Sequence, residues 1–118
     1  SMQLSVSGKH LDVGDSLRTH VVDALSAAVE RHFGSAIEGK TVFAHEGHRF
    51  RADVHVHVAR GLVVQSHATA SDPYVAFDRA ADFARAWGSE LFDAGLAGHI
   101  NTSAGYGEWK SRLAFHRR

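Results

Sequence analysis

Residues 50 to 58 alternate without a break. Phe50, Ala52, Val54, Val56 and Val58 take every second position, and Arg51, Asp53, His55 and His57 take the positions between them. A side-chain period of two fits a strand with one buried face and one wet face. On a helix the same residues would scatter around the cylinder and leave no continuous apolar stripe. Ala59-Arg60-Gly61 makes a tight connection, and Leu62 to Ala70 returns as the partner strand, so the middle of the chain reads as a hairpin. The rest of the sequence must supply a cover for that hairpin's apolar face.

Two amphipathic segments can do so. Leu17, Val21, Ala24, Leu25, Ala28 and Phe33 recur at helical spacing behind Asp15, a good N-cap, and Gly34 is placed to end that helix in a left-handed conformation. Asp72-Pro73 opens the second helix with a capping carboxylate and a proline at the first helical position. Tyr74, Phe77, Ala80, Ala81, Ala84 and Trp87 form its apolar stripe, and Gly88 is expected to end it. Gln3 to Ser7 reads as a short strand with Leu4 and Val6 on one face, and Thr41 to His45 as another. The predicted order is β-α-β-β-β-α.

Beyond that, Ser89 to Ala94 contains Leu91 and Phe92 and reads as a fifth strand, which would close a right-handed βαβ unit. A glycine-rich stretch from Gly95 to Gly107 and a short helix from Glu108 follow. The expected fold class is therefore α+β, a sheet with two helices on one face, extended by a C-terminal strand and a short helix. A chain of 118 residues suits one such domain. An added edge strand carrying Leu91 and Phe92 is a pairing hazard, so a homodimer through the sheet edge is also expected.

Charge narrows the function. There are 13 basic and 13 acidic residues, and the stretches before and after Ser71 are each balanced. A strong nucleic-acid binder usually carries a basic excess, because neutralising phosphates supplies most of the affinity. The absence of cysteine excludes a disulfide framework, a thiolate nucleophile and a cysteine zinc site. No apolar run is long enough to span a membrane and no leader-like segment opens the chain, so a cytoplasmic protein is expected. Ser1 ahead of Met2 reads as the remnant of a cleaved tag.

The segments Met2 to His10, Asp15-Ser16-Leu17-Arg18, Glu46 to Val54, Gln65-Ser66-His67-Ala68 and Asp72 to Asp78 together resemble the ribosome hibernation promoting factors, over roughly residues 2 to 82. That resemblance implies a four-stranded sheet with two helices on one face. It also implies binding to the small ribosomal subunit near the decoding centre, where messenger and transfer RNA are blocked. In that family the second helix carries a run of lysines and arginines against ribosomal RNA phosphates. Here Asp82 to Glu90 replaces the run, and between Asp72 and Asp93 five acids face two bases, Arg79 and Arg85. The remaining candidate RNA contacts are Lys9, Arg18, Arg31, Lys40, Arg49, Arg51 and Arg60.

From Ser71 to about residue 115 the chain also resembles the C-terminal part of the small α/β serine hydrolases related to retinoblastoma-binding protein. The matching residues are Ser71 to Tyr74, Ala86-Trp87-Gly88-Ser89, Asp93-Ala94-Gly95, Gly98-His99-Ile100-Asn101 and Ser103 to Trp109. By resemblance Asp72 would be a triad acid and His99 the base. A nucleophile must complete such a triad, and no Gly-x-Ser-x-Gly elbow occurs in the sequence, so both residues would be vestigial and the chain no enzyme. Taken together, the two resemblances imply a recombined or engineered chain. In this reading residues 2–71 come from the hibernation factor, 72–80 are a shared junction and 81–118 a hydrolase-like graft, folded but without native activity. The alternative is a hibernation factor that binds the small subunit weakly.

Other constellations add little. His55 and His57 share the wet face of their strand and His67 lies on the next one, a minimal zinc or nickel pattern with no carboxylate fixed beside it by spacing. His45 and His48 are three apart, which is not the zinc-protease spacing. The glycine-rich stretch lacks the Gly-Lys-Ser/Thr ending of a phosphate loop. Trp87, Trp109, Phe83 and Phe92 fall at helical or strand core positions, which argues for burial over base stacking. No cofactor is expected.

Overall fold

A computed structural model describes residues 3–33, 36, 38–59 and 61–93. The elements run β1 (Gln3–Lys9), α1 (Asp15–Ala28), a π-helical turn (Val29–Phe33), β2 (Glu38–Glu46), β3 (Arg49–Ala59), β4 (Leu62–Ala70) and α2 (Pro73–Asp93). The expected β-α-β-β-β-α order and α+β class hold. The sheet order is β1-β2-β3-β4. β1 lies parallel to β2 because α1 carries the chain across between them, while β2, β3 and β4 form an antiparallel meander.

Register explains the alternation. Val6, Thr41, Val54 and Ser66 form one row across all four strands, and Phe43, Ala52 and Ala68 lie in the adjacent row on the same face. That face is covered by the helices. Val21 and Leu25 from α1 and Ala76, Phe77, Ala80, Ala81, Ala84 and Trp87 from α2 are buried against it, with Phe43 and Phe77 the largest side chains fully removed from water. Each Leu or Phe so buried contributes about 1.5–3 kcal/mol. Small alanines on α2 let the helix approach the sheet closely enough for the Ser66 hydroxyl to donate to the Ala80 carbonyl at 2.5 Å.

The ends of the elements follow local chemistry. At α2, the Tyr74 amide donates to Asp72 Oδ1 at 2.7 Å, as the Asp-Pro start predicts. At α1 the N-cap is Gly14, not Asp15; Asp15 is the first helical residue, where its charge favours the helix dipole. The two-residue loop between β2 and β3 places Gly47 at φ +63° with open space around it, so conformation rather than room requires glycine there.

Two expectations fail at the far end of α2. Gly88 does not stop the helix, and residues 89–93 are helical rather than a fifth strand. One glycine costs a helix interior only about 1 kcal/mol, and no proline follows to enforce a stop. The sheet therefore has four strands among the described residues, with β1 and β4 at its edges, and the apolar edge strand that motivated a homodimer is not formed. Gly34, Arg60, Ala94, the stretch from Gly95 to Gly107 and the helix expected from Glu108 lie outside the described residues.

Candidate nucleic-acid interface

The face of the sheet turned away from the helices is laid out by strand register. Gln3, Glu38, His57 and Val63 form one row, Ser5, Lys40, His55 and Gln65 the next, then Ser7, Val42, Asp53 and His67, and finally Lys9, Ala44, Arg51 and Thr69. Arg49 opposes Glu46 at the hairpin end. Four bases, Lys9, Lys40, Arg49 and Arg51, thus meet three acids, Glu38, Glu46 and Asp53, with three imidazoles among them. The helix layer has the opposite balance. Asp15, Asp23, Glu30, Asp72, Asp78 and Asp82 outnumber Arg18, Arg31, Arg79 and Arg85 there. Of the two faces, the open sheet is the one suited to a polyanion.

The bases are not equally available. Arg51 is gripped by Asp53 through two bonds of 3.0 Å and by Glu46 at 3.4 Å. The hydrogen bond to Asp53 is the main reason its guanidinium is held above its ordinary pKa, so it is charged at any working pH and already paired. Arg18 donates to the Val6 carbonyl at 2.7 Å and ties α1 to the edge of β1. Arg85 pairs with Asp82 on α2. Lys9, Lys40 and Arg49 are exposed on or beside the sheet face, and Arg31 is exposed on the π-helical turn. Arg60 lies outside the described residues.

Strand register separates the candidate metal-binding histidines. Register sets His67 opposite Asp53, whereas His55 and His57 face Gln65 and Val63. No group of three or more His, Asp or Glu side chains among the described residues is arranged to hold an ion. Asp72 acts as the α2 cap, and His99 lies outside the described residues. Trp87 is buried, as expected. Phe83 is not; it stands half-buried on α2 beside β4.

Sequence reasoning missed three features. Arg79 reaches back from α2 to the Thr69 carbonyl at 3.1 Å, and Arg49 approaches the same oxygen at 3.4 Å. A groove of about 340 Å³ beside them is lined by Glu46, Arg51, His67, Thr69, Arg79 and Phe83, among others. Between the helices, His20 Nε2 sits 2.7 Å from Asp78 Oδ1 with its ring edge-on to Tyr74 and Phe77. The contacts join residues ten or more positions apart on different elements, and only the packing of strands and helices brings them together.

Known proteins share this architecture. The N-terminal domain of Thermus thermophilus protein Y superposes with a TM-score of 0.63 at 24% identity, covering 73% of this chain and 93% of that one. A ribosomal subunit interface protein from Coxiella burnetii gives 0.71 at 16% identity, covering 78% and 99%. In sequence, a ribosome hibernation promotion factor of Rhizobium meliloti (strain 1021) is 35% identical over 81 residues, 69% of this chain but 43% of that protein. The Bradyrhizobium diazoefficiens relative is matched over 39% of its length, so the chain spans about two-fifths of these two longer proteins. A ribosome hibernation promoting factor of Azotobacter vinelandii is also 35% identical, and here the match covers 74% of the relative.

The family described as sigma 54 modulation protein / S30EA ribosomal protein matches residues 4–86. That span runs through the supposed junction at 72–80 and beyond it, and α2 is one unbroken helix across the same residues. The hydrolase resemblance, and with it the reading of a recombined chain, finds no support there. With a family match over most of its length and an Azotobacter relative covered for three-quarters of its own, the chain belongs to the sigma 54 modulation protein / S30EA ribosomal protein family.

Proposed function

We propose that this protein is a ribosome hibernation factor that binds the small ribosomal subunit and restrains translation in the cytoplasm. The observation that carries the reading is the family match over residues 4–86, which takes in β1 from its second residue, the other three strands, all of α1 and two-thirds of α2. The names of the relatives describe hibernation factors rather than enzymes, in keeping with a chain that has no nucleophile elbow. The open sheet face supplies the more basic surface, through Lys9, Lys40 and Arg49.

The acidic helix layer sets the expected strength. Every phosphate contact that a family member makes from its second helix and this chain does not make lowers affinity and flattens the salt dependence. Binding should therefore be detectable at low salt and much reduced at physiological salt. Cosedimentation with purified small subunits at about 50 and 150 mM salt tests this. A combined Lys9→Gln, Lys40→Gln and Arg49→Gln variant should lose more binding than an Arg31→Gln, Arg85→Gln variant. Absence of cosedimentation at both salts from a folded sample would remove the reading.

A further inference from the structure

The groove between the edge of β4 and α2 has a composition that ribosome binding in general does not require. Its volume of about 340 Å³ lies at the lower end of the range for small-ligand sites, about 300–1,000 Å³. Of the two arginines in the lining, Arg51 is neutralised by Asp53 and Glu46, so Arg79 is the cation there with no acid partner among the described residues. Phe83 adds an aromatic ring that is only half-buried, although most of the apolar stripe of α2 is fully covered. Arg79 and Phe83 are four residues apart, so they project from the same side of α2.

The cationic groups are held in place. Thr69 accepts one N–H of Arg79, which leaves the rest of a five-donor guanidinium for another acceptor. Arg51 is fixed by Asp53 and Glu46. One fixed cation without an acid partner and a partly exposed ring match a unit that carries one phosphate and one planar base. A polyanionic peptide would bring several carboxylates against Glu46 and make no use of the ring.

We propose that this groove binds one unpaired nucleotide of single-stranded RNA, with the base on Phe83, the phosphate on Arg79 and the base's amino edge toward Glu46. The inference rests on the ribosome-binding reading for the source of that nucleotide. Stacking on an aromatic side chain is tolerant of base identity and strong enough for a single ring to be measured by substitution.

The test is fluorescence anisotropy with labelled hexaadenylate and hexacytidylate, using the whole chain, with small-subunit cosedimentation run in parallel. Phe83→Leu keeps an apolar side chain but removes the ring, and should weaken hexamer binding about tenfold. Phe83→Tyr should restore it, and Arg79→Gln should weaken it and reduce its salt dependence. Unchanged thermal melting of each variant separates lost contacts from lost fold. Competition by adenosine monophosphate only at far higher concentration than the hexamer is the expected result; competition at similar concentrations would overturn the strand as the ligand. Hexamer binding unchanged in both Phe83→Leu and Arg79→Gln overturns the proposal. So does a wild-type chain that cosediments with subunits yet ignores the hexamers, a result that leaves the ribosome reading intact. Failure of both assays removes the two together.

Discussion

Thr41 and Ser66 carry hydroxyls in the same row of the sheet, two strands apart, with Val54 between them, and both are buried. Their circumstances differ. Ser66 donates to the Ala80 carbonyl of α2 at 2.5 Å, whereas Thr41 Oγ1 has no partner among the described residues and its side chain is 0% exposed. Removing an unpaired buried hydroxyl relieves a desolvation cost of about 1–3 kcal/mol, and valine keeps the branched shape that a strand favours. Thr41→Val should therefore stabilise the fold by about 1 kcal/mol or more. Ser66→Ala should cost about 1 kcal/mol, the net value of one intramolecular hydrogen bond. At about 4–8 °C per kcal/mol for a domain of this size, the two variants should melt roughly 10 °C apart on opposite sides of wild type. Next-nearest strands are about 9.6 Å apart, so the effects should add in the double variant to within about 0.5 kcal/mol. Thermal melting with circular dichroism, checked by urea unfolding at constant m-value, measures all three. A Thr41→Val protein less stable than wild type would refute the reasoning, because it would show that the hydroxyl is paired in solution.

The other contacts yield sharper single tests. Arg51→Ala should cost about 0.5–1 kcal/mol, since the Asp53 and Glu46 pairs are partly exposed. Arg51 is raised from an already high pKa, so its contribution is fully present below that range and is lost only as pH climbs through it. The difference between wild type and Arg51→Ala in urea midpoints should therefore contain no term from Arg51 deprotonation between pH 6 and 10. Gly8→Ala places a methyl about where the Leu11 carbonyl oxygen lies, 2.2 Å from the new Cβ, and should destabilise by about 1–3 kcal/mol; a neutral result in the same melt would show that the β1–α1 loop moves freely. For His20 and Asp78, a double-mutant cycle to alanine should give a coupling of about 0.2–1 kcal/mol. His20→Ala should cost more than Asp78→Ala, because the imidazole also packs on Tyr74 and Phe77.

The regular parts of this fold were legible because each depends on neighbours in sequence. Alternation marked β3, and β4 runs from Leu62 to Ala70 as the hairpin reading required. The Asp72-Pro73 start and the α2 stripe needed only one helix to be read at a time. Gly88 misled because glycine is both the commonest helix terminator and a residue a helix can absorb, and the sequence does not say which. The shared junction rested on a similarly local cue, since an Asp-Pro-Tyr start after a buried strand records how a helix begins, whatever protein it belongs to. The family match over residues 4–86 lends the junction no support. Asp72 has a sufficient structural role as a cap, and no triad is needed to account for it.

What the sequence could not display was pairing across strands, and the functional surface depends on it. Arg51 counts as a free cation in any tally of charge, yet register places Glu46 and Asp53 where both can neutralise it. Arg85 counts likewise, yet Asp82 pairs with it on α2. The overall balance of 13 against 13 therefore understates how uneven the surface is. Ion pairing occupies Arg51 and Arg85, so Lys9, Lys40, Arg49, Arg31, Arg18 and Arg79 are the described cations left without an acid partner, and the first three gather at the open sheet. For the small-subunit contact proposed above, the acids of the helix layer leave the open sheet as the better-suited face. Exchanging Asp78 and Asp82 for lysine distinguishes the two faces. If the helix layer faces RNA, the double exchange should raise affinity at 150 mM salt by about tenfold or more and steepen its salt dependence. If the sheet faces RNA, affinity should rise only slightly, through long-range charge screened over about 8 Å.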